Sequence, residues 1–573
     1  MKFAALLTAV AAAALALIPP VSAQDEQPRA PLRLVAPPPV PDRDTAPNPP
    51  APQLSPTPQT PAGIGAADLG PLDPSWVDAL PKGEAPLPPD MWQGTSRGIV
   101  RGLLPLIGPT DSPAARALAR RLLLSGAAAP PGADPANAPG LVVLRAAALM
   151  RIGAFAGART VLDNFPADKR GEDAARLRIE LDFAGNDITG GCARIAAGIA
   201  QNRNVWWDQA NIACLLLSGE RDKAALALDV MHDDNATPDP LFDTLVAGAG
   251  GHAARLDRKT ALTPLRATLW ALSKRPLPAE TVAAMDAATA SAYAGSRAPV
   301  ALRLGAAERA AALGAWPPER LAELYGKMSF SDAERANAFA DEKTADTPQG
   351  RALLFALAQG GDPAPRVHAL ALFLGAAARH DFYFAAARLA APVIVALGPG
   401  DATKDMAPLF VRALIAADRM ADAAPFLPLI AGPMPLATLV GIVDGARPDE
   451  KAAGEALAAL ELRSTDSSRA IGMFFVLMSA YGPGPAASEL AAQMALPRQS
   501  AMPSAASWLA LQRAAAGHRR GETILAALAV LQENGGLNTE PIVAERVLSA
   551  LRDAGFDAEA RAIARDEAVA SGL

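Results

Sequence analysis

Histidine and cysteine are nearly missing from this chain of 573 residues, with five of the first and two of the second. The histidines (His232, His252, His368, His380 and His518) lie far apart, and none belongs to a His-Glu-x-x-His pair. That excludes a zinc site of the usual local kind, which needs imidazoles and thiolates at close spacing. Cys192 and Cys214 are too far apart for a Cys-x-x-Cys redox motif. Aromatic residues make up only 5%, and Lys+Arg 53 against Asp+Glu 59 leave a formal net charge of −6. With no lysine/arginine block, no surface is predicted to track nucleic-acid phosphates. A Gly-x-Ser-x-Gly elbow and a Walker sequence are missing too. The acidic stretch MHDDNATPDPLFD, Met231 to Asp243, lacks the ligand order, central glycine and final glutamate of a calcium loop. The sequence therefore assigns no catalytic, cofactor or metal residues.

Long apolar runs are lacking as well, except at the start. Lys2, the apolar Ala4 to Ile18 and the small residues Val21-Ser22-Ala23 read as a signal peptide over residues 1–23. Beyond it, IGMFFVLMSAYG from Ile471 is too short to span a bilayer, and Ala423 to Val443 is broken by prolines and glycine. The expectation is an exported, soluble protein of the periplasm or another extracytoplasmic space, with no membrane span once the signal is removed.

Two materials make up the rest. Gln24 to Asp90 holds 19 prolines in 67 residues, each removing an N–H and disfavouring helix before it. Residues 24–95 are read as a disordered, proline-rich linker, with Trp76 and Trp92 near its end placed to dock back onto the folded body. From Ser96 onward the pattern is alanine-rich and amphipathic, as in DSPAARALARRLLLSG, RVHALALFLGAAARH and TEPIVAERVLSALRDAG. Alanine is the best helix former; Gly, Pro, Asp and Asn separate the segments, and strand-like alternation is nearly absent. Capping signals occur at Thr539-Glu540-Pro541 and Ser329-Phe330-Ser331. The fold class is all-α, an irregular α-solenoid of short antiparallel hairpins without a fixed period, because so many short helices do not share one compact core. The polar KMSFSDAERANAFADEKTADTPQG divides it into helical regions 96–328 and 329–573.

GERDKAALALDVM, from Gly219 with Ala224 five residues on and Leu228 and Met231 on the same face, resembles the second helix of a tetratricopeptide-type hairpin. GFDAEARAIARDEAVASG, with Gly555 and Ala560, is similar. The array also resembles the superhelical non-catalytic part of periplasmic soluble lytic transglycosylases. That resemblance implies a scaffold presenting a groove to another molecule. The catalytic Glu-Ser and the Gly-rich Leu-Met-Gln stretch of those enzymes find no match.

One segment, NRNVWWDQANIACLLLSG, concentrates the rare residues. The polar turn Gln201 to Asn204 lies midway between Cys192 and Cys214, so antiparallel helices bring both thiols to one height, roughly 15 Å from the turn. Export then makes a Cys192–Cys214 disulfide the expected state. Trp206 and Trp207 point about 100° apart on a helix, with Ala210 and Ala213 on the side of Trp206. They either fill space between alanines or reach a ligand, and the same two readings hold for Phe382 and Tyr383. The functional expectation is a scaffold or binding module of the cell envelope with a protein, peptidoglycan or polysaccharide partner. The alternative is a peptidoglycan- or polysaccharide-processing enzyme whose carboxylates come from separate helices.

Overall fold

Alanine-rich segments punctuated by Gly, Pro, Asp and Asn become helix after helix. The computed structural model describes residues 73–573 except 235–237, 341, 447–449, 462–467, 483–501 and 534–538; among them are α- and 3-10 helices and no strand. The expected signal peptide, and the expected linker up to residue 72, lie outside the described residues. No helix among these residues is long and apolar enough to cross a membrane. Helix starts follow local chemistry. Ser112, Asp239, Thr263 and Thr347 each accept the N–H three residues on, with proline in the first turn. Ser331 and Glu334 complete a capping box where the sequence predicts a start.

Helix ends are more uniform than the sequence suggests. Among the described residues, ten helices end in one kind of turn, at a residue of positive φ: Gly153, Asn186, Gly219, Gly251, Gly314, Asp381, Asp418, Gly445, His518 and Gly555. Each time the next residue's N–H donates to the carbonyl five residues before it, as from Ala154 to Leu149 (2.9 Å) and from Phe556 to Leu551 (2.9 Å). After seven of these turns a new helix starts at once, with a small buried residue five positions past the turn: Ala158, Gly191, Ala224, Ala386, Ala423, Thr523 and Ala560. Bulk is excluded there because the two helices of the hairpin meet; a Cβ at Gly191 would lie 2.9 Å from the Phe183 ring. From Gly153 the next three turns follow at intervals of 33, 33 and 32 residues (186 − 153, 219 − 186, 251 − 219). The spacing is thus nearly even over this stretch and uneven beyond it, where the next such turns are at Gly314, Asp381 and Asp418.

The two regions expected on either side of residue 329 are joined. Gly70–Leu573 form one compact unit, and the Val300–Ala312 helix packs on both Pro348–Ala358 and Tyr383–Leu397. The ends of the body are joined as well, because Pro113–Leu124 packs against Arg520–Glu533 and Asp557–Ala570. At that seam Asp566 accepts from Ser112 Oγ (2.6 Å) and the Ala114 N–H (2.9 Å), and Arg121 pairs with Glu559.

The linker boundary at 95 needs correction. Residues 73–95 are folded onto the body, with Trp76 and Trp92 buried and edge-to-face at 4.7 Å. The Arg145 guanidinium stacks on Trp76 at 4.7 Å, and Gly521 N–H donates to the Met91 carbonyl (2.9 Å). Proline content hid this, since a proline-rich segment loses no helical hydrogen bonds by lying extended over a preformed surface.

Candidate functional site

The paired tryptophans lie in a hairpin of two helices, Ile188–Gly198 and Val205–Leu217. The bridge between Cys192 and Cys214 is present, with a Cα–Cα distance of 5.6 Å. Trp207 is fully buried, and its indole N–H donates to Glu172 Oε1 (2.9 Å). The same oxygen accepts from Asn204 Nδ2 (2.7 Å) and pairs with Arg176. These hydrogen bonds, that of Asn204 foremost, hold Glu172 below the usual carboxylate range. Trp207 also needs Gly198, where a Cβ would come within 2.4 Å of its ring. Trp207 is thus a packing residue.

Trp206 is different. Half-buried, it stands edge-on to Trp207 at 5.1 Å, with Arg176 over its ring at 5.2 Å. It lines a chamber of about 140 Å³ with Ala210 and Ala213 from its own helix and Glu180, Gln209 and Arg266. Glu180 Oε2 accepts the N–H of Leu265, in the first turn of the Pro264–Ala271 helix (2.9 Å). Burial pushes Glu180 up to about 7, against the hydrogen bonds from Leu265 and Thr263. Asp239 goes the other way. Burial opposes its ionisation, yet hydrogen bonds from the Phe242 N–H (3.0 Å) and Gln209 Nε2 (3.1 Å), with Arg266 at 2.6 Å, hold it low. The acidic stretch from Met231 to Asp243 thereby resolves into a helix cap at Asp239 and a His232–Asp243 contact of 3.0 Å.

In chemical terms the chamber offers an aromatic wall, one carboxyl poised to exchange a proton near neutrality and one guanidinium. Hydrolysis by two carboxylates requires a second, free one; Asp239 is engaged by Arg266 and Gln209. Neither Glu180 nor Arg266 stands in a motif that marks it in the sequence. Glu180 lies one among 59 acidic residues, and only the meeting of three separate helices singles it out.

Phe382 and Tyr383 follow the positive-φ turn at Asp381. Phe382 is buried beside Phe373 (6.1 Å), with Arg351 over its ring at 5.5 Å. Tyr383 is buried under Arg412 at 4.9 Å, and its hydroxyl has no hydrogen-bond partner among the described residues. Burial pushes that hydroxyl up to about 12. Both residues line a cavity of about 110 Å³ with Asp111, Asp381 and Arg412. Close to Asp111, Arg116 Nη1 donates to the carbonyls of Thr110 and Ala312 (2.8 Å to the latter). Burial first, then the charge of Arg388, push Arg116 down to about 10. The two predicted aromatic patches are separate features, one in each half of the chain. A larger cleft of about 650 Å³ opens between Asp134, Phe165, Arg170 and Glu172.

Comparison with protein-family models, curated proteins and solved structures returns no match for this chain.

Proposed function

We propose that the chain is an exported helical scaffold or binding module of the bacterial cell envelope, built as an irregular solenoid of hairpins behind a proline-rich leader. The observation that carries this reading is the Cys192–Cys214 bridge across one hairpin of an all-helical body. Structural disulfides persist in oxidising compartments, and the first 23 residues have the composition of a cleaved export signal. Stacked hairpins use their extended surfaces for binding. The resemblance to tetratricopeptide-type hairpins and to the superhelical part of soluble lytic transglycosylases points the same way. Cell fractionation with intact-mass analysis and crosslinking in the intact envelope test the reading. The expected results are a periplasmic chain shortened by the signal, an oxidised bridge and a specific crosslinked partner. A cytoplasmic chain with two free thiols refutes it.

The second reading is a peptidoglycan- or polysaccharide-processing enzyme, favoured by Glu180, at about 7, beside the Trp206 wall. Incubation with purified murein decides it: product release lost on Glu180→Gln supports catalysis, and no product from the unaltered chain eliminates it.

A further inference from the structure

We propose that the groove along the Arg221–Asp234 helix is a docking site for a basic amphipathic helix of a partner protein. This deepens the binding-module reading and rests on it. Among the described residues, the one extensive helix neighbour of Arg221–Asp234 is Val205–Leu217, and only Ala224 and Met231 on it are buried. Leu226 and Val230, one turn apart on the outward side, are 66% and 51% exposed. They form one wall of a groove of about 340 Å³, with Ile212, Ala227 and Met231 below them. A helix that meets only water carries polar residues on its outer face. Two adjacent aliphatic side chains over an apolar groove leave a face that another apolar surface completes.

Charge narrows the occupant. Asp208 and Asp234 border the groove, and neither forms an ion pair among the described residues. Burial, then the charge of Asp234, push Asp208 above its ordinary value, against the opposing charge of Arg203. Asp222, Asp229 and Asp233 are exposed on the same helix and, with Asp234, outnumber the exposed Arg221 and Lys223, the latter already paired with Glu220. An incoming helix with apolar residues one turn apart, flanked by lysine or arginine, satisfies both the floor and the rim. An anionic membrane surface or acidic peptide meets repulsion here. A second copy using the same face sets aspartate against aspartate, because a two-fold contact pairs a patch with itself.

The test uses the mature chain with its bridge intact and a labelled helical peptide of about four turns. The peptide has leucines one turn apart on one face and lysines elsewhere; its control has glutamate for every lysine. Anisotropy should show saturable binding of the lysine peptide, at least about tenfold tighter than the control and weakening with salt. Leu226→Asp should weaken it by about tenfold or more with the far-ultraviolet circular dichroism unchanged. Leu509→Asp, at an exposed leucine on another helix, should leave it unaltered. The proposal is overturned if neither peptide binds, if both bind equally, or if Leu226→Asp binds like the unaltered chain. It is also overturned if sedimentation shows self-association that Leu226→Asp abolishes. Envelope crosslinking with Leu226→Asp separates the two readings: if the partner is retained, the groove assignment falls while the scaffold reading stands.

Discussion

Removing the Cys192–Cys214 bridge, by reduction or by replacing both residues with alanine, should loosen its hairpin by about 3 kcal/mol. The bridge spans a sequence separation of 22. For a loop of that length the chain-entropy relation gives roughly 11 cal/mol/K, hence about 3 kcal/mol at 25 °C. At about 1.4 kcal/mol per tenfold, this is roughly a 150-fold rise in the open population of the hairpin. Other ties remain, since Glu172 still binds Asn204 and Trp207. The hairpin should therefore loosen without the body unfolding. A body of this size does not unfold in two states, so the effect must be read locally. Native-state hydrogen exchange on residues 188–217, oxidised and reduced, is the appropriate assay. Exchange should accelerate there and in Arg221–Asp234, while Pro541–Asp553 keeps its protection. Acceleration below about threefold, with reduction verified by mass, would refute loop entropy as the stabilising term. Equal acceleration everywhere would refute the local character of the staple.

Three further predictions concern packing and charge. Arg351 Nε and Nη2 bind the two oxygens of Glu308 (3.0 and 2.6 Å), both side chains are 4% exposed, and Tyr325 Oη donates to the same carboxylate (2.7 Å). Arg351→Met should cost about 3–5 kcal/mol by stranding that charge, read locally by native-state hydrogen exchange in Val300–Ala312 and Pro348–Ala358, with Glu308→Gln alongside recovering most of it. Gly153 combines φ +80° with a Cβ site 2.8 Å from the Ala315 nitrogen, whereas Gly83 has φ +92° and open space. Gly153→Ala should destabilise its turn by about 1–3 kcal/mol more than Gly83→Ala does its own, read by native-state hydrogen exchange; equal losses would contradict the turn-to-turn contact. Burial pushes Glu567 up to about 8, against Arg469, and Glu180 up to about 7. Both lie above the ordinary glutamate value of 4.5, so between that value and 7 or 8 the folded chain holds protons that the unfolded chain has released. Their stabilising contribution is complete below the unfolded value and lost as pH rises through about 7 and about 8. Denaturation midpoints should fall across that window, and Glu567→Gln should flatten the slope.

Local features were legible in the sequence because local chemistry determines them. Ser331 caps a helix because its hydroxyl reaches Glu334 N–H, and the bridge follows from a turn placed midway between two cysteines. The even spacing of the turns from Gly153 to Gly251 is not legible in the sequence because the turn is written once as Asn186 and otherwise as one glycine among 45, residues that share left-handed backbone rather than side-chain character. The Trp206 chamber was half legible. Trp206, Ala210 and Ala213 share a helix face, whereas Glu180 and Arg266 arrive from other helices. The folding of residues 73–95 was masked by composition, since burial of Trp76 and Trp92 depends on Arg145 and Met91 contacts that no window of sequence contains.

The seam between Ser112 and Asp566 joins residues 454 positions apart. Bringing such distant positions together is a slow step in chain collapse, because loop-closure entropy is lost before any contact compensates it. An open stack of hairpins grows from either end and tolerates loss of a terminal unit. This body lacks that freedom: until Arg520–Glu533 and Asp557–Ala570 emerge, the side of Pro113–Leu124 that packs on them stays uncovered, and a premature stop leaves it so. Truncation from the C-terminal side should thus produce an aggregating chain rather than a shorter, stable one.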